Sequence, residues 1–306
     1  MYFFSSILYS ATLLTSILAR GFHGSKAWDK VRWPKRVVRS APTYKKIILK
    51  NFRVFDGYNL RGLETVVIDG DSIGTDVHNA DEMIDGHGRV LLPGLIDSHM
   101  HVYLNGNLEE HSNYGVTMIL NINYFNYTFC EELKQAVGLS SVITTGLPAI
   151  GPEGYHTMTT PITDSELVRS PSDAEEFVSW TVGNNSDFLK IVAEYGGPSL
   201  ETQQALVQVA HERGIPAATH ASFYEPFQQA IESKCDMIQH ISSDAVVADK
   251  WIHTILKQNQ VVVPTMTIFR YMSETLQLSS SYREPTPRIN PFQLSRPMSR
   301  HYTRKE

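Results

Sequence analysis

The 306-residue chain holds only two cysteines, Cys130 and Cys235. That scarcity excludes a disulfide-stapled scaffold, and their spacing suits no metal knuckle, so both read as free thiols. An excess of positive charge is also lacking. With 27 Lys and Arg against 32 Asp and Glu, a net charge of −5 and a pI near 6.2, a nucleic-acid binder is disfavoured. No glycine-rich phosphate turn follows any strand-like run, which removes the usual ligand signature of a doubly wound open sheet. Residues 1–19 (MYFFSSILYSATLLTSILA) carry no charge at all, and no aspartate occurs after Asp249.

What is present is unevenly distributed. Residues 20–50 contain ten Lys or Arg and one acid, Asp29, leaving 17 basic against 31 acidic residues elsewhere. The apolar 1–19 segment resembles a secretory signal, with Ala19 before a cleavage point, or a short membrane anchor. Lys35-Arg36 offers a processing site. If the segment stays as an anchor, the basic stretch favours keeping its own side of the membrane cytoplasmic. Two sequons, Asn126-Tyr127-Thr128 and Asn184-Asn185-Ser186, suit a glycoprotein. The expectation is the secretory pathway, with membrane anchoring or the cytoplasm as alternatives.

Beyond the basic linker (20–44), Lys46 to Phe55 and Thr65 to Ile73 read as strands split by Gly/Asn/Asp turns, forming a small β-module over 45–90. From residue 91 to 270 strand-like runs alternate with helical ones: 91–102, 115–121, 141–145, 187–193, 215–219, 236–239 and 260–265. Ser172 to Glu175 is a capping-box pattern opening one helix. Ala205, Leu206, Val209 and Ala210 form an apolar stripe on another, with Gly214 as its stop. This alternation indicates βα units around a parallel sheet. Seven strands are counted where a (β/α)8 TIM-like barrel needs eight, so the expected fold is α/β: an incomplete barrel lacking strand 8. Residues 271–306, rich in Pro, Ser and Arg, read as a disordered tail.

Chemistry collects at strand ends, where parallel barrels keep it. The stretch LLPGLIDSHMHV places His99 and His101 two apart, on one face of a strand. Lys190 sits inside the apolar run DFLKIVA, an expensive position for an ammonium unless it is paired or chemically changed. His220 (PAATHAS) and His240 (DMIQHIS) end the next two strands. Taken singly each is an ordinary strand-end residue, and the H-x-H pair alone favours solvent-facing histidines. Five in order point to a metal centre.

PGLIDSHMHV, DFLKIVAEYGG, HERGIP before AATHAS, DMIQHIS and VVVPTM resemble the metal-dependent amidohydrolase superfamily, nearest its imidazolonepropionase-like and lysine-carboxylated dipeptidase-like branch. The resemblance runs from about residue 45 to 267. It implies two divalent ions, zinc above all: His99 and His101 on one, His220 and His240 on the other, and a carbon-dioxide-derived carbamate on Lys190 bridging them. It further implies a hydrolase of amide, lactam or imide-like C–N bonds working through a metal-activated water on a small-molecule substrate. Tyr155, His156 and Tyr195, in loops after strands, are candidate substrate contacts.

The chain departs from that pattern at one point. The family places a proton-transferring aspartate at the end of strand 8, and no residue here fills the role, so no catalytic acid or base is assigned. The chain accordingly reads as C-terminally truncated. The alternative is an inactive, amidohydrolase-like protein that binds metal or a metabolite.

Overall fold

The computed structural model describes residues 45–104, 106–123 and 126–270. The apolar 1–19 segment, the basic linker and the tail expected to be disordered lie outside these residues. Among the described residues no helix is long and apolar enough to cross a membrane.

The first sheet is built from β1 (Lys46–Phe55), β2 (Leu60–Asp69), β3 (Ser72–Gly74), β4 (Glu82–Asp85) and β5 (Val90–Leu91). Its order is β3-β2-β1-β4, with β5 also on β1. Alternating apolar residues of β1 and β2 bury Ile47, Leu49 and Ile68 together. The expected strand over 65–73 is in fact two. Gly70, at φ 65°, supplies the left-handed residue of a tight turn, so the chain doubles back as the β2–β3 hairpin. The β1–β2 register breaks between Leu49 and Phe52, and the intervening Asn51 adopts φ 56°. Asparagine tolerates that conformation, as a bulge needs.

Seven further strands come next in chain order: β6 (Leu95–Met100), β7 (Val116–Asn121), β8 (Ser141–Thr144), β9 (Leu189–Val192), β10 (Ala217–His220), β11 (Met237–Gln239) and β12 (Val261–Val263). Every pairing among them is parallel. They form the sheets β6-β7-β8 and β9-β10-β11-β12. Ala149 stitches the two together: its N–H donates to Lys190 O (2.8 Å) and its carbonyl accepts from Val192 N (3.0 Å). Among the described residues, β6 and β12 are the outer strands of the series.

The connections carry α1 (Gly106–Asn113), α2 (Tyr127–Lys134), α3 (Tyr155–Thr159), α4 (Ala174–Gly183), α5 (Leu200–Glu212), α6 (Tyr224–Glu232) and α7 (Asp249–Gln258). Helix α5 starts where Ser199 Oγ accepts from Thr202 N. It stops before Gly214, at φ 73°. Its buried stripe is Leu206, Val207 and Ala210, with Ala205 and Val209 at the margin. The capping box before α4 lies two residues earlier than the sequence suggested. Ser170 and Asp173 form it, with Ser170 N donating to Asp173 Oδ2 at 2.9 Å. The extra 3-10 turn of Pro171–Asp173 displaces the motif from the helix proper.

Two apolar layers result. Leu189 and Ile191 of β9 face outward and pack with Phe177, Val178, Leu206 and Ala210 of the helices. The opposite face joins Leu120, Ile122, Ile143, Phe188, Ala218 and Met237 in an inner cluster. Because strand side chains alternate, Lys190 shares the inner face with Phe188, His220 with Ala218, and Gln239 with Met237. The fold therefore aims polar groups into an otherwise apolar interior.

Leu206 is fully buried, so Leu206→Ala should cost about 2–5 kcal/mol through lost contacts and a residual cavity. Thermal unfolding followed by circular dichroism measures this. An unchanged midpoint would contradict the outer layer described.

Candidate metal centre

The strand ends bring the predicted residues together. Ring centroids of His99 and His101 lie 5.4 Å apart, His99 and His240 4.6 Å, and His240 and His220 4.5 Å. His156 joins the series at 4.8 Å from His220. An imidazole bound to zinc through one nitrogen has its centroid about 3.2 Å from the ion, so two such rings stand about 4.5–5.3 Å apart. The His220–His240 spacing falls within that range, and His99–His101 stands just above it. Among the described residues, however, no three His, Cys, Asp or Glu side chains form a ready cage for one ion. A donor set of two imidazoles and a modified lysine is of a different kind, since its third ligand is none of these residue types.

Hydrogen bonds sort the nitrogens. His99 Nδ1 meets the amide oxygen Oε1 of Gln239 at 2.7 Å. That oxygen can only accept, so Nδ1 carries the proton and Nε2 keeps its lone pair. His240 Nδ1 lies 2.7 Å from Thr265 Oγ1, and His220 Nε2 lies 3.2 Å from Ser222 Oγ. His101 is hydrogen-bonded to the Asn123 backbone. Each imidazole thus has one nitrogen engaged by a neighbour and the other available, which is how metal-binding histidines are oriented. His240 itself takes φ 75°, a left-handed conformation unusual for a residue with a side chain.

Electrostatics favour neutral ligands. Burial, followed by the Lys190 charge, lowers His99 to about 3 and His101 to about 4. Burial and the same charge bring His240 to about 2. His220 falls well below its ordinary value through burial and then its histidine neighbours. Lys190 is 3% exposed, and its Nζ has no hydrogen-bond partner. Burial pulls it down to about 7. An orphaned amine that exchanges its proton near neutrality, close to four imidazoles kept neutral by burial, fits a carbamate ligand for the ions these residues would hold. An ammonium there would be both unpaired and unable to bind metal.

The weaker candidates divide. His156 belongs to the cluster, held by Glu194: its N–H donates to Oε1 (3.0 Å) and Nδ1 meets Oε2 (2.9 Å). Tyr155 is exposed, with its ring edge-on to His156 at 5.9 Å. Tyr195 lies against Phe223 at 5.8 Å, at the rim rather than among the imidazoles. Gln239, Glu194, Ser222, Thr265 and Asn123 were not identified from the sequence. Only their positions directly after strands, or beside a ligand as in DMIQHIS, could have drawn attention to them.

No protein-family model matches the chain. A 58-residue stretch, 18% of the chain, is 41% identical to adenine deaminase 2 of Latilactobacillus sakei subsp. sakei (strain 23K) and spans only 10% of that protein. Among solved structures, a Xaa-Pro dipeptidase with bound methionine in its active site superposes with a TM-score of 0.62 at 17% identity, over 76% of this chain and 70% of that one. A. niger ochratoxinase gives 0.62 at 14% identity, over 78% and 70%. Molinate hydrolase gives 0.58 at 16% identity, over 79% and 68%. The chain has the amidohydrolase fold. In an amidohydrolase barrel the strand ends are where a site is expected, and it is there that these histidines gather.

Gln239→Leu should weaken zinc binding about 10–100-fold, the usual cost of losing the partner that orients a ligand. Gln239→Glu, which keeps an acceptor, should retain most of the affinity. Competition against a chromogenic chelator reads both, and an unaltered affinity in the leucine variant would remove the orienting role.

The lowered histidines also set a pH dependence. Below about pH 6.5 the unfolded chain takes up protons that the folded, metal-free chain refuses until about pH 4 and lower. The unfolded state then binds more protons, so stability falls with pH through that window. Chelator-treated protein should therefore lose thermal stability between about pH 7 and pH 4.5, and His99→Asn should lose less. A pH-independent midpoint would refute the assignment.

Proposed function

We propose that the chain is a metal-dependent hydrolase of C–N bonds in a small amide, lactam or imide-like substrate. In this reading His99 and His101 hold one divalent ion, His220 and His240 hold a second, and carboxylated Lys190 bridges them. The observation that carries it is the Lys190 amine, buried without a partner and brought down to about 7, so that a large share of it is neutral near neutral pH. A neutral amine can attack carbon dioxide, forming a carbamate N–C bond and releasing one proton. The product is an anionic oxygen ligand in place of an isolated cation.

When bound, such ions make water nucleophilic near neutral pH and polarise a scissile carbonyl. The remaining work belongs to the chain. Gln239, Ser222, Thr265 and the Asn123 backbone orient the imidazoles. Glu194 fixes His156 beside His220, where it can hydrogen-bond a substrate. The apolar inner layer beneath the site excludes bulk water, which strengthens each of these polar contacts. The deaminase stretch and the hydrolase neighbours support C–N chemistry. On this reading the 91–270 region is the catalytic barrel and 45–90 a separate β-module, with chain segments 1–19 and 20–44 serving export or anchoring.

A second reading is favoured by one observation. The carboxylate hydrogen-bonded to a ring of the histidine cluster, Glu194, is committed to His156 at 2.9 Å, and Thr265 after β12 is occupied with His240. A barrel that binds metal or a metabolite without turnover suits a cluster whose neighbouring carboxylate is already engaged.

Metal analysis by plasma mass spectrometry, with turnover assays on an amide panel, decides between them. The hydrolase reading expects about two zinc-like ions per chain, fewer in His220→Ala, and activity abolished in Lys190→Ala. Stoichiometric metal with no turnover across the panel would favour the second. Folded protein without metal would sink the hydrolase reading and leave only metabolite binding of the second.

A further inference from the structure

Two buried donors in the site have no acceptor. Among the described residues, Gln239 Nε2 and Lys190 Nζ each lack a hydrogen-bond partner, and both side chains are buried. An unpaired N–H shut away from water is costly. What the two groups lack in common is an oxygen within reach.

The strands set their placement. Ala218 of β10 is level with Lys190 of β9 on one side and with Met237 of β11 on the other, while His220 is level with Gln239. Lys190, Ala218 and Gln239 all belong to the inner face. Because Ala218 carries only a methyl group, the long side chains of β9 and β11 have room to approach each other across β10. His99 is a neighbour of both. It lies 2.7 Å from Gln239 Oε1, and after burial the Lys190 charge is the main influence holding its ring neutral.

The His99 contact also fixes which way the amide points. Turned over, Gln239 would donate to His99 Nδ1, which would move the ring proton to Nε2 and take that nitrogen from an ion. The oxygen therefore stays on His99, and the NH2 group is left to face the interior.

Resting on the hydrolase reading, we propose that Gln239 is a positioning residue for the lysine-derived ligand as well as for His99, its Nε2–H donating to a carbamate oxygen on Lys190. As the amine lone pair forms the N–C bond to carbon dioxide, one C=O pair moves onto oxygen and one proton leaves for solvent. The oxygens so gained supply the acceptor that Gln239 lacks. One amide then orients a histidine through its oxygen and the carbamate through its nitrogen.

Carbon-13 NMR of full-length, zinc-saturated protein titrated with labelled bicarbonate tests this, the carbamate signal being the one lost in Lys190→Ala. Gln239→Glu keeps an acceptor for His99 but not the N–H, and Gln239→Leu keeps neither without adding charge. Both should raise the bicarbonate needed for half-maximal signal about tenfold or more, the usual cost of losing a hydrogen bond to a charged group. At saturating bicarbonate the glutamate variant should still bind zinc nearly as wild type does, which a merely structural defect would not allow. No rise in either variant would overturn the inference and leave the carbamate in place. A rise in the glutamate variant alone would overturn it too, as charge repulsion. Zinc-bound wild type without a Lys190-dependent signal would overturn the bridged centre and the inference with it.

Discussion

A single amine in the barrel interior constrains everything around it. Lys190 lies on the same strand face as Phe188 and opens into the layer formed by Leu120, Ile143, Ala218 and Met237. Water cannot solvate it there, and no described side chain pairs with it. A charged lysine in such a place is costly, and its field would also keep four nearby imidazoles from protonating. Relief comes through deprotonation or chemical conversion. Both outcomes produce a group able to act as, or become, a ligand.

The imidazoles depend on contacts that cross between strands. Gln239 on β11 reaches His99 on β6, and Thr265 beyond β12 reaches His240 beyond β11. The first contact couples strands distant in the series through side chains, whereas the second joins the ends of two strands that already pair. The arrangement gives β6 and β11 a direct interaction although neither pairs with the other. Gln239 Nε2 remains without a partner, so the amide has a donor to spare on a face that already carries the site.

A second coupling fixes His156. The loop after β8 and the loop after β9 approach so closely that a side chain at Gly151 would lie 2.5 Å from the backbone of Gly197. Glu153 N donates to Gly196 O at 3.2 Å across the same seam. Glycine at these positions allows backbone to meet backbone, and the contact sets Glu194 beneath His156. The EYGG and GPEG stretches are thus two halves of one support, although they are some forty residues apart in sequence.

Much of the barrel could be read directly from sequence. Alternation of apolar runs located all seven strands because a buried parallel strand must be apolar on both faces, and that signal is local. The gathering of His99, His101, His220 and His240 was legible because each stands at the end of an apolar run, and Lys190 because it interrupts one. The split of the 65–73 segment was not legible, because a hairpin needs its partner register as well as a glycine. The shifted capping box at Ser170 depended on a 3-10 turn that no short pattern announces. Gln239, Glu194, Ser222 and Thr265 are ordinary residues until folding sets them against a histidine. The sequence by itself determined which side chains would be forced inward, because hydrophobic periodicity obeys local geometry. Which nitrogen of each imidazole stays available, and which rings border the opening, was decided only by tertiary structure, because those properties belong to contacts between strands and loops far apart in the chain.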